Sequence, residues 1–396
     1  MRSMSRAHLV ASDDPAYPKL MIVVAFSCLA WIFLLLFWGG FWRADQRLSQ
    51  TAPPANWPEV AIVIPARNEA ETIAEVAASH GASDYPGATH LIVVDDSSSD
   101  GTGEIAMQSG AHVVTAPDLP AGWSGKLWAV YTGLAEADRI APEAEFILLT
   151  DADIVHAPGT LRALVAQATA HDLALVSLMA RLDARGIWGR LLIPAFIFFF
   201  QKLYPFPWVN APRMPIAGAA GGCMLIRRGV LRDIGGIAAL KDALIDDCTL
   251  AARIKRGPPR RRIWLGLADE EVLSLRDNRS FKSIWTMVRR TAFTQLRHSW
   301  LLVVAATLGM SFLYLSPVFG VLVGLVFSQP QIVAPALVAS GLMMFAYLPT
   351  IRLYRLPMIS AVTLPLSAAL YMGMTIASAH AHLRGRGGAW KGRTYD

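Results

Sequence analysis

Charge is scarce in this chain, and cysteine is scarcer. Only 17% of its 396 residues are Asp, Glu, Lys or Arg, against about a quarter in ordinary soluble domains. Three stretches, 20–42, 301–350 and 356–383, contain none of these residues at all. With 54% hydrophobic residues and a mean hydropathy of +0.39, a disordered chain is excluded and a wholly soluble globule is a poor fit. The excess is nevertheless too small for a chain that is membrane throughout. Cys28, Cys223 and Cys248 form no CxxC pair, so no disulfide framework or thiolate zinc site is written here, which fits a reducing compartment. An acidic excess is missing too. The 36 Lys and Arg outnumber the 30 Asp and Glu, leaving a net charge of +6 that suits an anionic membrane surface or a nucleic acid.

What is present divides the chain. Leu20 to Trp42 is long enough to span a bilayer. It follows Asp13 and Asp14 and lacks a small-residue cleavage site, so it reads as a retained anchor rather than a signal peptide. Three further spans are expected at about 301–327, 331–350 and 357–379, with Ser328-Gln329-Pro330-Gln331 as a polar turn. Arg253, Lys255, Arg256, Arg260, Arg261 and Arg262 crowd the intervening region, and Arg289, Arg290 and Arg297 precede the second span. By the positive-inside rule this places residues 43–299 in the cytoplasm, against which the basic tail, with Arg384, Arg386, Lys391 and Arg393, stands as a conflict. The segment 187–209 is apolar but broken by Arg190, Gln201, Lys202 and several prolines. It reads as an interfacial helix with Phe196, Phe198, Phe199 and Phe200 in lipid, and a buried core helix is the alternative. The expected organisation is a 1–19 tail, a 20–42 anchor, a cytoplasmic domain over 43–300, a membrane region over 301–383 and a basic tail over 384–396.

Between the spans, short apolar runs alternate with helical ones. Strands are expected at 60–64, 91–94, 112–115, 146–150 and 173–178, and helices at 68–80, 102–108, 126–137 and 158–170. That alternation predicts an α/β domain with a mostly parallel sheet and helices on both faces. Ligands of such sheets bind beyond the carboxyl ends of the strands, and the informative residues fall there.

After the second strand comes Asp95-Asp96-Ser97-Ser98-Ser99-Asp100-Gly101-Thr102. It is no EF-hand, because Met107 stands where the bidentate Glu belongs. Its Gly101, Gly103 and Ala106 match a dinucleotide fingerprint in spacing, but the preceding carboxylates would repel a pyrophosphate. What remains is a loop whose carboxylates accept hydrogen bonds from a nucleoside base or ribose. After the fourth strand, Asp151 and Asp153 are two apart and project to one side in extended chain. That pair suits Mg²⁺ or Mn²⁺ with phosphate oxygens completing the shell, or a plain surface turn. Asp246-Asp247 opens a helix, either as ordinary first-turn acids or with Asp247 as a general base. Gly125-Lys126 opens another helix, where Lys126 and the helix N-terminus could hold a diphosphate.

Together these residues resemble family 2 glycosyltransferases with a GT-A fold. The resemblance rests on Ile64-Pro65-Ala66-Arg67-Asn68-Glu69, Val94-Asp95-Asp96-Ser97, Asp151-Ala152-Asp153, Asp246-Asp247 before Leu250, Gly125 to Ala129 and the glycine-rich Gly218 to Cys223. It covers about residues 59–300. LPAGWSGKLWAVYTGL, LTDADIVH, LIDDCTLAARIK and RTAFTQLRHSW are similar to the hopene-associated glycosyltransferases, which in turn are similar to ceramide glucosyltransferases. The resemblance implies a GT-A catalytic domain with transmembrane helices, in the cytoplasmic membrane of a bacterium. It implies a nucleotide-sugar donor, usually a UDP-sugar, transfer with inversion, a divalent metal (Mg²⁺ or Mn²⁺), and a lipid hydroxyl, here a hopanoid, as acceptor. Donor binding would fall to Pro65, Arg67, Glu69, Asp95, Asp96, Lys126 and Asp151, and metal binding to Asp153 with Asp151. Catalysis would fall to Asp247 with Asp246. The acceptor side would involve Gly221, Gly222 and the Gln295, Arg297 and Trp300 of a displaced Q/RxxRW-like motif, a displacement that argues against processive polymerisation. A polyisoprenyl-phosphate acceptor and a non-catalytic membrane scaffold or transporter are the alternatives. Nucleic acid is not expected, because the basic residues cluster beside membrane segments.

Overall fold

The computed structural model describes residues 16–49, 51–241, 246–384, 389–390 and 393–394. Two compact units divide the chain. One is α/β (Asp45–Asp183, Tyr204–Ser283 and His382–Asp396), and the other is helical (Met1–Ala44, Ala184–Leu203 and Ile284–Ala381).

The α/β unit is built on β1 (Val60–Ala66), buried at every position as a strand covered on both faces must be. Its neighbours in chain order are β2 (Thr89–Asp95), β3 (His112–Thr115), β4 (Phe146–Thr150), β5 (Ile154–His156), β6 (Leu175–Met179), β7 (Cys223–Arg227), β8 (Ile263–Leu267) and β9 (Val272–Ser274). Seven of them form one sheet in the order β3-β2-β1-β4-β7-β6-β8. The strands run parallel except β7, which is antiparallel to both β4 and β6. β5 and β9 form a separate antiparallel pair. This is the expected mostly parallel α/β sheet of the GT-A fold. Alternation along β1 fixes the two faces. Ile62 and Ile64 pack with Ile73, Val76, Leu161 and Leu164 from the helices Ile73–Gly81 and Thr160–Ala170. Val63 points the other way, toward the helix Gly125–Ile140, where a Cβ on Gly133 would come within 2.4 Å of Val63 Cγ1.

Two boundaries differ from expectation for local reasons. The helix expected from Asn68 starts only at Ile73, because Asn68 is left-handed (φ 50°) and the next amides bond to the loop after β2. The strand expected from Leu173 starts at Leu175. The Leu173 amide is spent closing the preceding helix onto Ala168 O, at 2.8 Å.

Among the described residues, five helices are long and apolar enough to cross a membrane: Tyr17–Phe37, Gly186–Leu203, Trp300–Val326, Pro330–Leu353 and Met358–Leu383. The anchor run 20–42 thus yields a helix ending at Phe37, followed by left-handed Gly39 and Gly40. Small residues let these helices approach closely. A Cβ on Gly320 would lie 2.7 Å from Val24, and one on Gly324 would lie 2.6 Å from Val333. The segment read as interfacial is one helix through Leu203 with Pro194 inside it. The expectation that Phe198 sits in lipid is corrected. Phe198 is fully buried and packs its ring on Phe41 at 5.4 Å and Tyr347 at 5.2 Å, because the helix has neighbours of its own within the unit.

Candidate active site

The parallel strands β1, β2 and β4 end at one edge of the sheet, and the reversed β7 begins there. Chain direction alone therefore gathers the segments after Ala66, Asp95 and Thr150 with the glycines before Cys223. The first two segments are stitched together. Asn68, Glu69 and Ala70 donate their amides to Ser98 Oγ, Thr102 Oγ1 and Asp100 Oδ2, at 3.0, 2.9 and 3.0 Å. Asn68 Oδ1 in turn accepts from the Ser99 amide at 2.9 Å. Asp96 is buried, with Arg67 Nη1 donating to its backbone oxygen and lying 3.5 Å from Oδ2. Asp95 behaves differently from its neighbour, since its Oδ1 accepts the Ser98 amide at 3.0 Å and braces the loop. Asp100 is structural as well. Its carboxyl lies below the usual range even though desolvation acts the other way, because hydrogen bonds from Thr102 and from the Ala70 and Thr102 amides outweigh it.

A second group forms around Asp151. Ser124 caps the helix Gly125–Ile140 by accepting from Leu127 N at 3.3 Å, and Lys126 in its first turn pairs with Asp151 Oδ1 at 2.8 Å. Asp247, in the first turn of the helix Asp246–Arg256, accepts the Gly221 amide on Oδ2 at 2.9 Å and the Cys248 amide on Oδ1 at 2.6 Å. Gly221 is the hinge of this cluster, because a Cβ there would sit 3.4 Å from Asp247 Oδ2 and 3.6 Å from Lys126 Nζ. Pro65, Lys126, Asp151, Gly221 and Leu250 line a common cleft. Behind it, Thr150 Oγ1 donates to Gly222 O at 2.8 Å and meets His156 Nε2 at 3.1 Å. Burial keeps that imidazole neutral, its pKa lying well below the usual value.

Asp153, two residues beyond Asp151, is strongly perturbed. Desolvation, then the negative charges of Asp151 and Glu69, push it up to about 6 against the pull of Arg276 and Lys126. Crowded oxygen donors with surplus negative charge suit a hard divalent cation. Among the described residues no three His, Cys, Asp or Glu converge as a complete metal site, so Asp151 and Asp153 would leave positions open for water and substrate phosphate.

The structure therefore brings together Arg67 with Asp96, and Lys126, Asp151, Gly221 and Asp247 in a second group. The Asp246 side chain lies outside the described residues. Gln295, Arg297 and Trp300 belong to the helical unit, where left-handed Arg297 and His298 form the turn between two helices. Arg276 and Thr150 were not foreseen. Arg276 reaches Asp153 only because β9 pairs with β5, and nothing in the local sequence signals that pairing.

Residues 61–235 match the family described as Glycosyl transferase family 2. The chain carries a family 2 glycosyltransferase domain. This domain contains the Arg67–Asp96 pair, Lys126, Asp151, Asp153 and Gly221, and Asp247 lies just beyond the matched range. Among curated proteins, glycosyltransferase AglJ of Haloferax volcanii is 42% identical over 96 residues, a stretch that spans 24% of this chain and 27% of that protein. Among solved structures, the mannosyltransferase PcManGT of Pyrobaculum calidifontis, in complex with GDP-Man and Mn²⁺, has a TM-score of 0.51 at 19% identity. That likeness covers 91% of this chain and 99% of the other, and it shows a shared fold. Glucosyl-3-phosphoglycerate synthase of Mycobacterium tuberculosis, with Mg²⁺ and uridine diphosphate, covers 63% of this chain and 86% of its own at 21% identity and a TM-score of 0.42.

Proposed function

We propose that the protein is a membrane-bound inverting glycosyltransferase that moves a sugar from a nucleotide-sugar, a UDP-sugar, to a hydroxyl of a membrane lipid of the hopanoid class. The observation that carries this reading is the cluster Lys126–Asp151–Gly221–Asp247, in which a cation and a candidate metal ligand line one cleft and a candidate base is held on the cleft's Gly221. The candidate membrane helices of the same chain favour a lipid acceptor. A hydroxylated hopanoid is required, since a hydroxyl must supply the nucleophile. The GDP-Man and Mn²⁺ held by PcManGT are a nucleotide-sugar, though of another base, and a divalent metal of the proposed kind.

In this mechanism Asp96 and Arg67 bind the nucleoside, and Lys126 with the amides of its helix N-terminus holds the diphosphate. Asp153 and Asp151 would hold Mg²⁺ or Mn²⁺, which when bound neutralises charge on the leaving diphosphate. Asp247 is held rigid by two backbone amides and takes the acceptor hydroxyl proton as that oxygen bonds to the anomeric carbon. The bond to the diphosphate breaks on the opposite face, so configuration inverts and no covalent sugar intermediate forms. Asp247→Asn keeps the shape and loses the basicity. It is expected to lower transfer by about 10²–10⁴-fold while leaving UDP binding within about twofold, since the nucleoside contacts lie elsewhere. Radiolabelled sugar transfer to extracted lipid, with UDP calorimetry alongside, checks both. Full activity in Asp247→Asn would remove the base from this scheme.

A further inference from the structure

The helical unit holds several cations. Its described segments, 16–44, 184–203 and 284–381, contain Lys and Arg but no Asp or Glu. One of these cations is clamped among apolar side chains. Lys202, next to the end of the helix Gly186–Leu203, sets its ammonium 2.7 Å from Tyr314 Oη and 5.7 Å from the centre of the Phe199 ring. Tyr314 is fully buried near the middle of the helix Trp300–Val326. Its ring is boxed edge-on between Trp31 and Phe199, both at 5.5 Å.

The arrangement is built, not incidental. A π-helical turn, Ser311–Leu315, interrupts the Trp300–Val326 helix, and such turns free backbone carbonyls. Phe312 O accepts from Ser27 Oγ at 3.0 Å and Leu313 O from Trp31 Nε1 at 2.8 Å. On the other side, Trp38 Nε1 donates to Lys202 O at 2.9 Å. Tryptophan at the end of an apolar helix favours headgroup level, so the backbone of Lys202 belongs to the headgroup end of the span while its ammonium reaches inward to Tyr314.

Donor counting then defines the ligand. An ammonium has three N–H donors and no lone pair. Tyr314 Oη accepts one of them, which leaves the phenol proton and two ammonium protons with no oxygen or nitrogen acceptor among the described residues, the ammonium otherwise lying over the Tyr314 ring at 4.6 Å and the Phe199 ring. A site of donors only, bearing one positive charge among apolar helices, is completed by an oxyanion, and an ionisable group at such a place is functional by default. We propose that Lys202 and Tyr314 form a binding site for the phosphate of an anionic membrane lipid, separate from the transferase cleft and independent of what that cleft does. The Phe199 ring beside the ammonium favours a phosphate that carries acyl chains over a free ion.

The test uses the full chain in neutral detergent and follows thermal unfolding during titration with phosphatidylglycerol, diacylglycerol with the same tails, or inorganic phosphate. Phosphatidylglycerol is expected to raise Tm saturably, and the other two are not. Lys202→Met and Tyr314→Phe are each expected to raise the half-saturating concentration about tenfold, the loss of one charge-assisted contact. Lys202→Arg and Lys19→Met, the latter at an exposed cation, should respond as the wild type does. Removing an inward-facing charge leaves Tm without lipid unchanged or higher, so lost binding in Lys202→Met is distinguishable from lost folding. An unaltered response in both Lys202→Met and Tyr314→Phe overturns the site. A response to diacylglycerol equal to that of phosphatidylglycerol overturns the phosphate assignment, and an equal response to inorganic phosphate overturns the lipid assignment.

Discussion

Asp151 and Asp153 stand two residues apart in the same motif, yet the fold treats them differently. Asp151 has the Lys126 ammonium 2.8 Å away. Asp153 is desolvated and faces the charges of Asp151 and Glu69, which push its carboxyl up to about 6. Because this pKa lies above the unfolded value, the stabilisation gained by protonation is fully present below about pH 4 and is lost as pH rises through about 6. At pH 7.5 the ionised carboxylate costs the metal-free fold on the order of 3 kcal/mol. Asp153→Asn is therefore expected to raise the metal-free Tm at pH 7.5 and to change it little at pH 4.5. The same substitution should abolish the Tm increase produced by Mn²⁺. In the wild type, Mn²⁺ affinity should fall roughly tenfold per pH unit below 6 as protons compete for Asp153, which calorimetry between pH 5 and 7.5 would register. The Asp-x-Asp pair was legible in the sequence as a candidate metal motif. The unequal charge balance was not, since Arg276 and Glu69 enter from segments far away in the chain.

Among the elements, the helix Gly125–Ile140 shows how a strand-end site is kept in register. It packs on β1 and β2 through Gly133, where an added Cβ would approach Val63 Cγ1 and Val94 Cγ2 at 2.4 and 2.8 Å. Gly133→Ala forces the helix off the sheet and is expected to destabilise the α/β unit by about 1–3 kcal/mol, read as a shift of the urea midpoint. It should also lower donor affinity, because Lys126 rides on the first turn of the same helix. Gly125 to Ala129 marked this helix start in the sequence, and Gly133 carried no signal there. A helical glycine becomes informative only when a strand lies against it. The strand β7 was missed for a similar reason. Gly218 to Cys223 was legible as a glycine-rich motif, but the reversed direction of the strand that follows depends on partners, not on its own composition.

For the molecule as a whole, the helix Gly186–Leu203 poses a topological question with a physical answer. Its length and composition admit a membrane crossing. However, the chain before it carries β6 and the chain after it carries β7, and these strands pair directly, Leu175 with Ile226 and Ser177 with Met224. A single crossing would put the two halves of one sheet on opposite sides of the bilayer. The chain must therefore leave and rejoin the sheet on one side of a membrane, and we propose an interfacial course for this helix, with Phe198 packed against protein. Cysteines introduced at exposed Glu143 and Arg213, which precede and follow that helix, are expected to react with a membrane-impermeant maleimide from the same side in sealed vesicles. Labelling from opposite sides would refute this topology.

The sequence by itself determined which segments are apolar enough for membrane, where β1 to β4 begin and end to within two residues, and which chemical groups stand at strand ends. Each of those is a local property, carried by runs and spacings of a few residues. Only the tertiary structure decided that Asp95 braces its loop while Asp96 pairs with Arg67, that Gly221 joins Lys126 to Asp247, and that Lys202 meets Tyr314. Apart from the local brace of Asp95 on Ser98, those outcomes depend on contacts between residues 26 to 112 positions apart in the chain. Short-range composition carries no record of such pairings until strand order and helix packing have closed them.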